Sequence, residues 1–289
     1  MLERIATCRT TPGRTCLRPP TGRAGLADPG KVNRDMPDDA ASPLASGHPP
    51  DAPAPRPPLQ NRLAIVTGGT GALGQAVTLR FLADGAIVAV PYAVETERAE
   101  LRARVAPAQR DRLVTEPVDV TDLAAMTAFV ERTIVARGRV DVLVGAVGGF
   151  AGGSLLETDA ATWRRMLELN LTSAFAATKA VAPHMVRARY GRVVLVASRA
   201  VVPPAGGFIA YTVSKAGVIT LVQALAHEMR GHGVTVNAVL PSTMDTPANR
   251  AAMPDSDRRG WVPVEAVADA IALLAREESA YMTGTLLAI

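Results

Sequence analysis

Cysteine is nearly absent: the 289-residue chain has two, Cys8 and Cys16, both in its first stretch. The rest of the chain offers no thiol for a disulfide or a zinc site, so no metal is expected and a reducing, cytoplasmic setting is. Long apolar runs are missing as well. No segment reaches the about 18 uninterrupted apolar residues of a membrane span, and no membrane partner is expected. Charge of one sign is scarce. The formal net charge is +4, and much of the basic excess falls at Arg4, Arg9, Arg14, Arg18, Arg23 and Lys31. No basic stripe with interleaved aromatics follows them, which speaks against a nucleic-acid partner. The N-terminus lacks the apolar block of a secretory signal. Its arginines leave an organellar transit sequence open, beside a disordered tail or an over-extended start with Met36 as the second start.

What is present divides the chain in two. Residues 1–58 are dense in Pro, Gly, Asp and Ser, end in the run from Pro49 to Pro58, and show no periodicity. Such a segment cannot bury enough apolar surface to offset its chain entropy, so a disordered tail is expected there. From residue 59 on, short apolar runs alternate with segments of helical spacing, and 48% hydrophobic content is enough to fill a core. Strands are expected at Leu63–Thr67, Ile87–Val90, Leu113–Val118, Val140–Val144, Val193–Ala197, Val234–Val239 and Thr285–Ile289. Helices are expected near 72–83, 96–105, 122–136, 159–188, 209–230 and 264–275, with caps at Thr121-Asp122 and Thr158-Asp159. Strands that are apolar throughout are covered on both faces. This is the pattern of one α/β domain, a Rossmann-type doubly wound parallel sheet of about seven strands with its ligand site beyond their carboxyl ends.

Thr67-Gly68-Gly69-Thr70-Gly71-Ala72-Leu73-Gly74 follows the first strand and opens the first helix. Glycines let the backbone turn tightly and approach a pyrophosphate, and the free N–H groups of the helix start attract its charge. Where the second strand ends, an Asp would favour NAD and a nearby Arg NADP; Val90-Pro91-Tyr92-Ala93 has neither. The missing carboxylate leans slightly toward NADP(H). Tyr211 and Lys215 stand four residues apart in a helical stretch and therefore on one face. A neighbouring ammonium favours the phenolate, bringing a Tyr toward a pKa at which it can move a proton. Ser198 ends an apolar run at the expected carboxyl edge, where a hydroxyl can hold a substrate oxygen. Asn170 interrupts an apolar stretch of the long helix, and an amide there asks for a reason.

Together these positions resemble the short-chain dehydrogenase/reductase family, including the thirteen residues between Ser198 and Tyr211. The glycine loop departs from the usual TGxxxGxG spacing, reading TGxxGxxG with Ala72 in place of a glycine. The resemblance implies an NAD(P)-dependent oxidoreductase acting on a small-molecule substrate, with a catalytic set of Asn170, Ser198, Tyr211 and Lys215. In the family the matching Asn holds a water of a proton relay, and the Lys also binds the nicotinamide ribose. The implied cofactor set is Thr67, Gly68, Gly69, Gly71, Leu73, Gly74, Tyr92, Asp119, Val120, Gly148, Tyr211, Lys215, Pro241 and Thr246. Asp119 matches an adenine contact, and Asn237 to Pro247 looks like the family's NxVxPGxxxT segment with Ser242 replacing glycine. By resemblance Ala248 to Trp261 is a flexible lid, with Met244, Met253 and Trp261 lining the pocket or simply packing. A homodimer or homotetramer is implied, formed through the helices near 159–188 and 209–230 and the last strand.

Two segments are similar to dihydropteridine reductases: Gly145 to Gly153, where the family usually has Asn-Asn-Ala-Gly, and Asp245 to Asp255. The loss of Asn at 145 and 146 removes side-chain hydrogen bonds that usually brace the central strand. A different class stays open beside the enzyme: a non-catalytic NAD(P)-binding regulator, which needs only the glycine loop. A third reading makes the tail an interaction module.

Overall fold

The computed structural model describes residues 57–289. The expected tail, Cys8, Cys16 and Met36 lie outside the described residues, apart from Pro57 and Pro58. The domain is filled at its start by Leu59, which is fully buried and whose N–H donates to the Asp84 carbonyl at 2.9 Å.

Among the described residues there are nine strands and eight helices, the strands being β1 (Leu63–Thr67), β2 (Ile87–Tyr92), β3 (Leu113–Pro117), β4 (Val142–Gly145), β5 (Gly191–Val196), β6 (Val234–Leu240), β7 (Met244–Asp245), β8 (Val262–Pro263) and β9 (Leu286–Ala288). Seven form one sheet in the order β3-β2-β1-β4-β5-β6-β9. Every pairing is parallel, with Ala64 opposite Val142 and Val194 opposite Asn237. Eight helices accompany it: α1 (Ala72–Ala83), α2 (Glu95–Arg104), α3 (Leu123–Arg137), α4 (Ala160–Leu167), α5 (Ser173–Ala188), α6 (Ile209–Met229), α7 (Pro247–Ala252) and α8 (Val264–Ala275). The expected sheet and helices are thus present. Strand ends differ from the expected ones by at most two residues, because sheet pairing rather than local composition sets where a strand stops.

Alternation along β1 shows why its residues are all apolar. Ala64 and Val66 join the layer holding Phe81 and Ile271, while Leu63 and Ile65 join the layer holding Phe129 and Val222. Two helical layers therefore cover the sheet, and strands between them have no polar face. The order reverses direction between β1 and β4, so the loops after these strands part and leave a crevice at their carboxyl ends.

Asp122 and Asp159 cap α3 and α4 as expected, accepting from Ala124 N at 2.7 Å and Thr162 N at 2.7 Å. The expected single helix over 159–188 is instead divided by a π-helical turn at Glu168–Thr172. The α7 turn and the short β7–β8 pair, which tie the ends of the 246–261 segment together, were not foreseen. One described segment, Ile209–His232, is long and apolar enough to cross a membrane by length and composition. Here it packs on the sheet through Ala210, Val218, Val222 and Ala226.

Candidate active site

The glycine loop closes on itself: Gly71 N donates to Gly68 O at 3.1 Å. Gly68 has φ +68°, and a Cβ there would stand 2.7 Å from Val147 N, so only glycine lets the loop lie against the end of β4. A Cβ on Gly74 would overlap the Gly68 carbonyl oxygen. No side chain caps the α1 N-terminus, and its first turn carries no acidic residue. Its N–H groups and positive dipole end are thereby left to a ligand. Behind the loop runs a relay in which Arg104 donates to Gln75 Oε1 at 2.7 Å, Gln75 Nε2 to Thr70 O at 2.8 Å, and Thr70 Oγ1 to Glu97 at 2.8 Å.

A groove of about 690 Å³ opens over this loop along the carboxyl ends of β1 to β4. Of the expected cofactor residues, Gly68, Gly71, Tyr92, Asp119, Val120 and Gly148 line it. Thr67, Gly69, Leu73 and Gly74 do not; they shape the loop from behind, Thr67 and Leu73 being buried in the domain. Pro241 and Thr246 lie past the end of β6. Pro241 O accepts from Arg199 N at 3.0 Å, and Thr246 caps α7 by accepting from Asn249 N at 3.1 Å. Sequence reasoning missed Glu97, Thr70 and Leu169 as lining residues. Asp119 accepts from both the Thr121 hydroxyl at 2.7 Å and its N–H at 2.9 Å, which holds the carboxyl below its ordinary value.

The second half of the site meets the groove at Gly148, where a Cβ would stand 2.8 Å from Asn170 Oδ1 and 3.2 Å from Lys215 Nζ. The π-helical turn aims Asn170 inward. Its Oδ1 accepts from Gly149 N at 2.9 Å, and its Nδ2 donates to Gly149 O at 3.1 Å and to Ser214 Oγ at 2.9 Å. Asn170 clamps the loop after β4, and Ala146 N donates to Thr67 O at 3.0 Å. Gly145 also has a packing reason, since a Cβ there would meet Leu195 Cδ2 at 2.6 Å.

Ser198 is fixed by its neighbours, Ala197 N and Arg199 N, which donate to Val239 O and Pro241 O. Its hydroxyl accepts from Ala200 N at 3.2 Å, and it opposes the upward pKa shift that burial imposes on the Tyr211 phenol. The expectation that Lys215 lowers Tyr211 is not met. Burial is the dominant influence and raises the Tyr211 pKa, while Lys215, itself buried, turns its Nζ to Val196 O at 2.7 Å. Desolvation brings the Lys215 pKa down to about 8. Tyr211 is flanked edge-on by Phe150 and Phe208, with ring centroids 5.1 Å and 6.1 Å away. Of the residues named for the pocket beside the 248–261 segment, Met244 in β7 packs on the core, and Trp261 lies under Arg258.

A family model described as short chain dehydrogenase matches residues 62–257. The chain belongs to this family. It is therefore an NAD(P)-dependent oxidoreductase. It is 32% identical over 238 residues to (2S)-[(R)-hydroxy(phenyl)methyl]succinyl-CoA dehydrogenase subunit BbsD of Thauera aromatica, covering 79% of this chain and 95% of that one. It is 32% identical over 234 residues to 3-oxoacyl-[acyl-carrier-protein] reductase FabG of Escherichia coli, covering 78% and 94%. The fold matches that of levodione reductase with a TM-score of 0.74 at 24% identity, over 80% of this chain and 96% of that one.

Proposed function

We propose that this short-chain dehydrogenase interconverts a carbonyl group and its hydroxyl form, with Tyr211 moving the proton and Ser198 holding the substrate oxygen. The influence of Ser198 on the buried Tyr211 phenol supports this reading, together with Gly148, which lines the groove and lies against both Asn170 and Lys215. The uncapped α1 terminus and the Gly68–Gly74 cradle fit a pyrophosphate, and a bound nicotinamide dinucleotide supplies the hydride. Tyr211, kept protonated by burial, donates to the developing alkoxide when a carbonyl is reduced. Lys215 and Asn170 hold the base of the site. Asn170 fixes Gly149 and Ser214, and Ser214 Oγ in turn donates to Tyr211 O at 2.8 Å. Both curated relatives bear names that denote chemistry at a carbonyl or hydroxyl carbon, which supports the reaction class. Replacing Tyr211 by Phe is expected to lower kcat on a reducible ketone by roughly 100- to 10,000-fold while dinucleotide affinity persists. Unchanged turnover in that variant would sink the assignment. Quinonoid dihydropterins belong in the substrate panel, because of the local likeness at Gly145 to Gly153.

The lean toward NADP(H) rested on a missing carboxylate at the end of β2. Among the described residues the groove is lined by two carboxylates, Glu97 from α2 and Asp119, and by no basic side chain. Arg98 is held by Glu95, its Nε donating at 2.8 Å, and leans over the Tyr92 ring. We therefore propose that NAD(H) is preferred, since Glu97 repels a 2′-phosphate. Comparative NADH and NADPH titration tests this, with Glu97→Gln expected to narrow the difference; tighter NADPH binding to the native chain would overturn it. A homodimer or homotetramer through α5 and α6 is part of the proposal, supported by the exposed Phe175 and Val213 on those helices. Sedimentation of the full chain at micromolar concentration checks it.

A further inference from the structure

Only five phenylalanines occur in the chain, and two of them stand beside the one phenol at the site. Phe150 and Phe208 are 5.7 Å apart between centroids, and each presents its ring at a steep angle to Tyr211, 65° and 69°. Phe150 is 65% exposed, so the core does not explain its position. Exposed Leu155 and Val202 lie in the same two segments, the loop after β4 and the loop before α6.

The backbone that carries these rings is held in place. Phe150 follows Gly149, whose N–H and carbonyl are both bonded to Asn170. Three residues on, Gly153 N donates to Gly207 O at 2.8 Å, and Ile209 N donates to Gly153 O at 3.1 Å. The two loops are thereby stitched together, and Phe208 sits between the stitched residues. A wall fixed on both sides costs little side-chain ordering when a ligand binds against it.

We infer that Phe150 and Phe208 form the specificity wall of the site and that the substrate class is an aryl ketone, or its benzylic alcohol, whose ring packs against them. This rests on the reading of Tyr211 and Ser198 as the oxygen-binding pair. A carbonyl oxygen held by those two hydroxyls puts its carbon substituents next to the aromatic edges. A flat ring answers that geometry with edge-to-face contacts that an alkyl chain of equal length does not make.

The test compares 1-phenylpropan-1-one with hexan-3-one, by turnover with NADH and by calorimetric titration of the dinucleotide-loaded full chain. The native enzyme is expected to favour the aryl ketone about tenfold in kcat/KM, and Phe150→Ala to reduce that ratio by about tenfold, with Phe150→Leu between them because it restores apolar area without a ring. Phe150 is exposed, so neither change threatens the fold; Phe208→Ala gives a second, independent measure. Equal losses on both ketones, or a native preference for hexan-3-one, overturn the inference and leave the oxidoreductase reading standing. Should neither ketone turn over while binding of the aryl ketone still weakens selectively in Phe150→Ala, the aryl wall stands and the carbonyl chemistry falls. Aryl binding indifferent to both phenylalanines overturns the wall whatever the turnover.

Discussion

Lys215 Nζ donates to the carbonyl oxygen of Val196 at 2.7 Å, tying the second turn of α6 to the last residue of β5. The ammonium is buried, and desolvation lowers its pKa from 10.5 to about 8. Below about pH 8 both folded and unfolded chains hold this proton, and the cost of burying the charge is fully present. As pH rises toward 10 the folded chain releases the proton first, the unfolded chain holds more, and stability increases. Between pH 7.5 and 10 this single group is expected to contribute on the order of 2 kcal/mol of added stability. Urea midpoints at the two pH values, native against Lys215→Met, isolate it. Parallel pH dependence in the two proteins would mean that Lys215 is not the group responsible.

Asn170 uses both ends of its amide, bonding the Gly149 backbone and the Ser214 hydroxyl. Asn170→Ala takes from the half-buried Gly149 N–H and carbonyl their partner, while the Ser214 hydroxyl keeps its bond to Tyr211 O, and about 1–3 kcal/mol of stability is expected to be lost. The loop after β4 loosens with it, so kcat falls more than dinucleotide affinity does. Thermal unfolding and single-turnover kinetics read the two effects separately. A variant that unfolds like the native chain would show that the π-helical turn holds Gly149 without its asparagine.

The sheet was legible because its central strands β1, β4, β5 and β6 bury both faces, so composition alone marked them. Ser198, Tyr211, Lys215 and Asn170 were legible through strand ends, helical spacing and family resemblance; of these, Asn170 and Lys215 both stand against Gly148 at the groove. The division of the 159–188 helix was not. Helical periodicity runs on either side of Glu168–Thr172, and the extra residue is accommodated by tertiary bonds to Gly149 and Ser214. Glu97 escaped notice because it reaches the groove from α2 rather than from the strand end. Phe150 and Phe208 escaped because the bridge between Gly153 and Phe208 joins two loops distant in the sequence. The direction of the Tyr211 shift depends on burial, to which spacing along a helix is blind.

Two glycines of one loop differ in what they tolerate. A methyl on Gly71 would stand 3.6 Å from its nearest neighbour, Gly68 O, an ordinary contact, whereas a methyl on Gly74 collides with that same oxygen. Gly74→Ala is expected to displace the loop, lower stability by about 1–3 kcal/mol and weaken dinucleotide binding at least tenfold. Gly71→Ala is expected to fold like the native chain. Fluorescence titration with NADH together with urea unfolding tests both. Equal behaviour of the two variants would show that the loop yields around the added methyl.

Asp141 lies at the opposite, amino-terminal end of the sheet and is fully buried. Its carboxylate accepts from Leu63 N at 2.9 Å, pairs with Arg62 at 3.2 Å and contacts Arg139. Arg62 and Arg192 in turn lie over the Tyr190 ring, 4.2 Å and 4.4 Å from its centroid. Removing the carboxylate strands the β1 N–H and takes from Arg62 and Arg139 their shared counter-charge, leaving Arg62 with Glu277 alone. Asp141→Ala is therefore expected to cost about 3–5 kcal/mol. Asp141→Asn keeps an acceptor for Leu63 N and should cost less. Because the crevice opens at the other ends of the strands, kcat of the protein that remains folded should stay near native in both variants. Urea unfolding paired with active-site-normalised kinetics checks the pair. A kcat loss in Asp141→Asn that exceeds its loss of folded protein would show that this end of the sheet is coupled to the site.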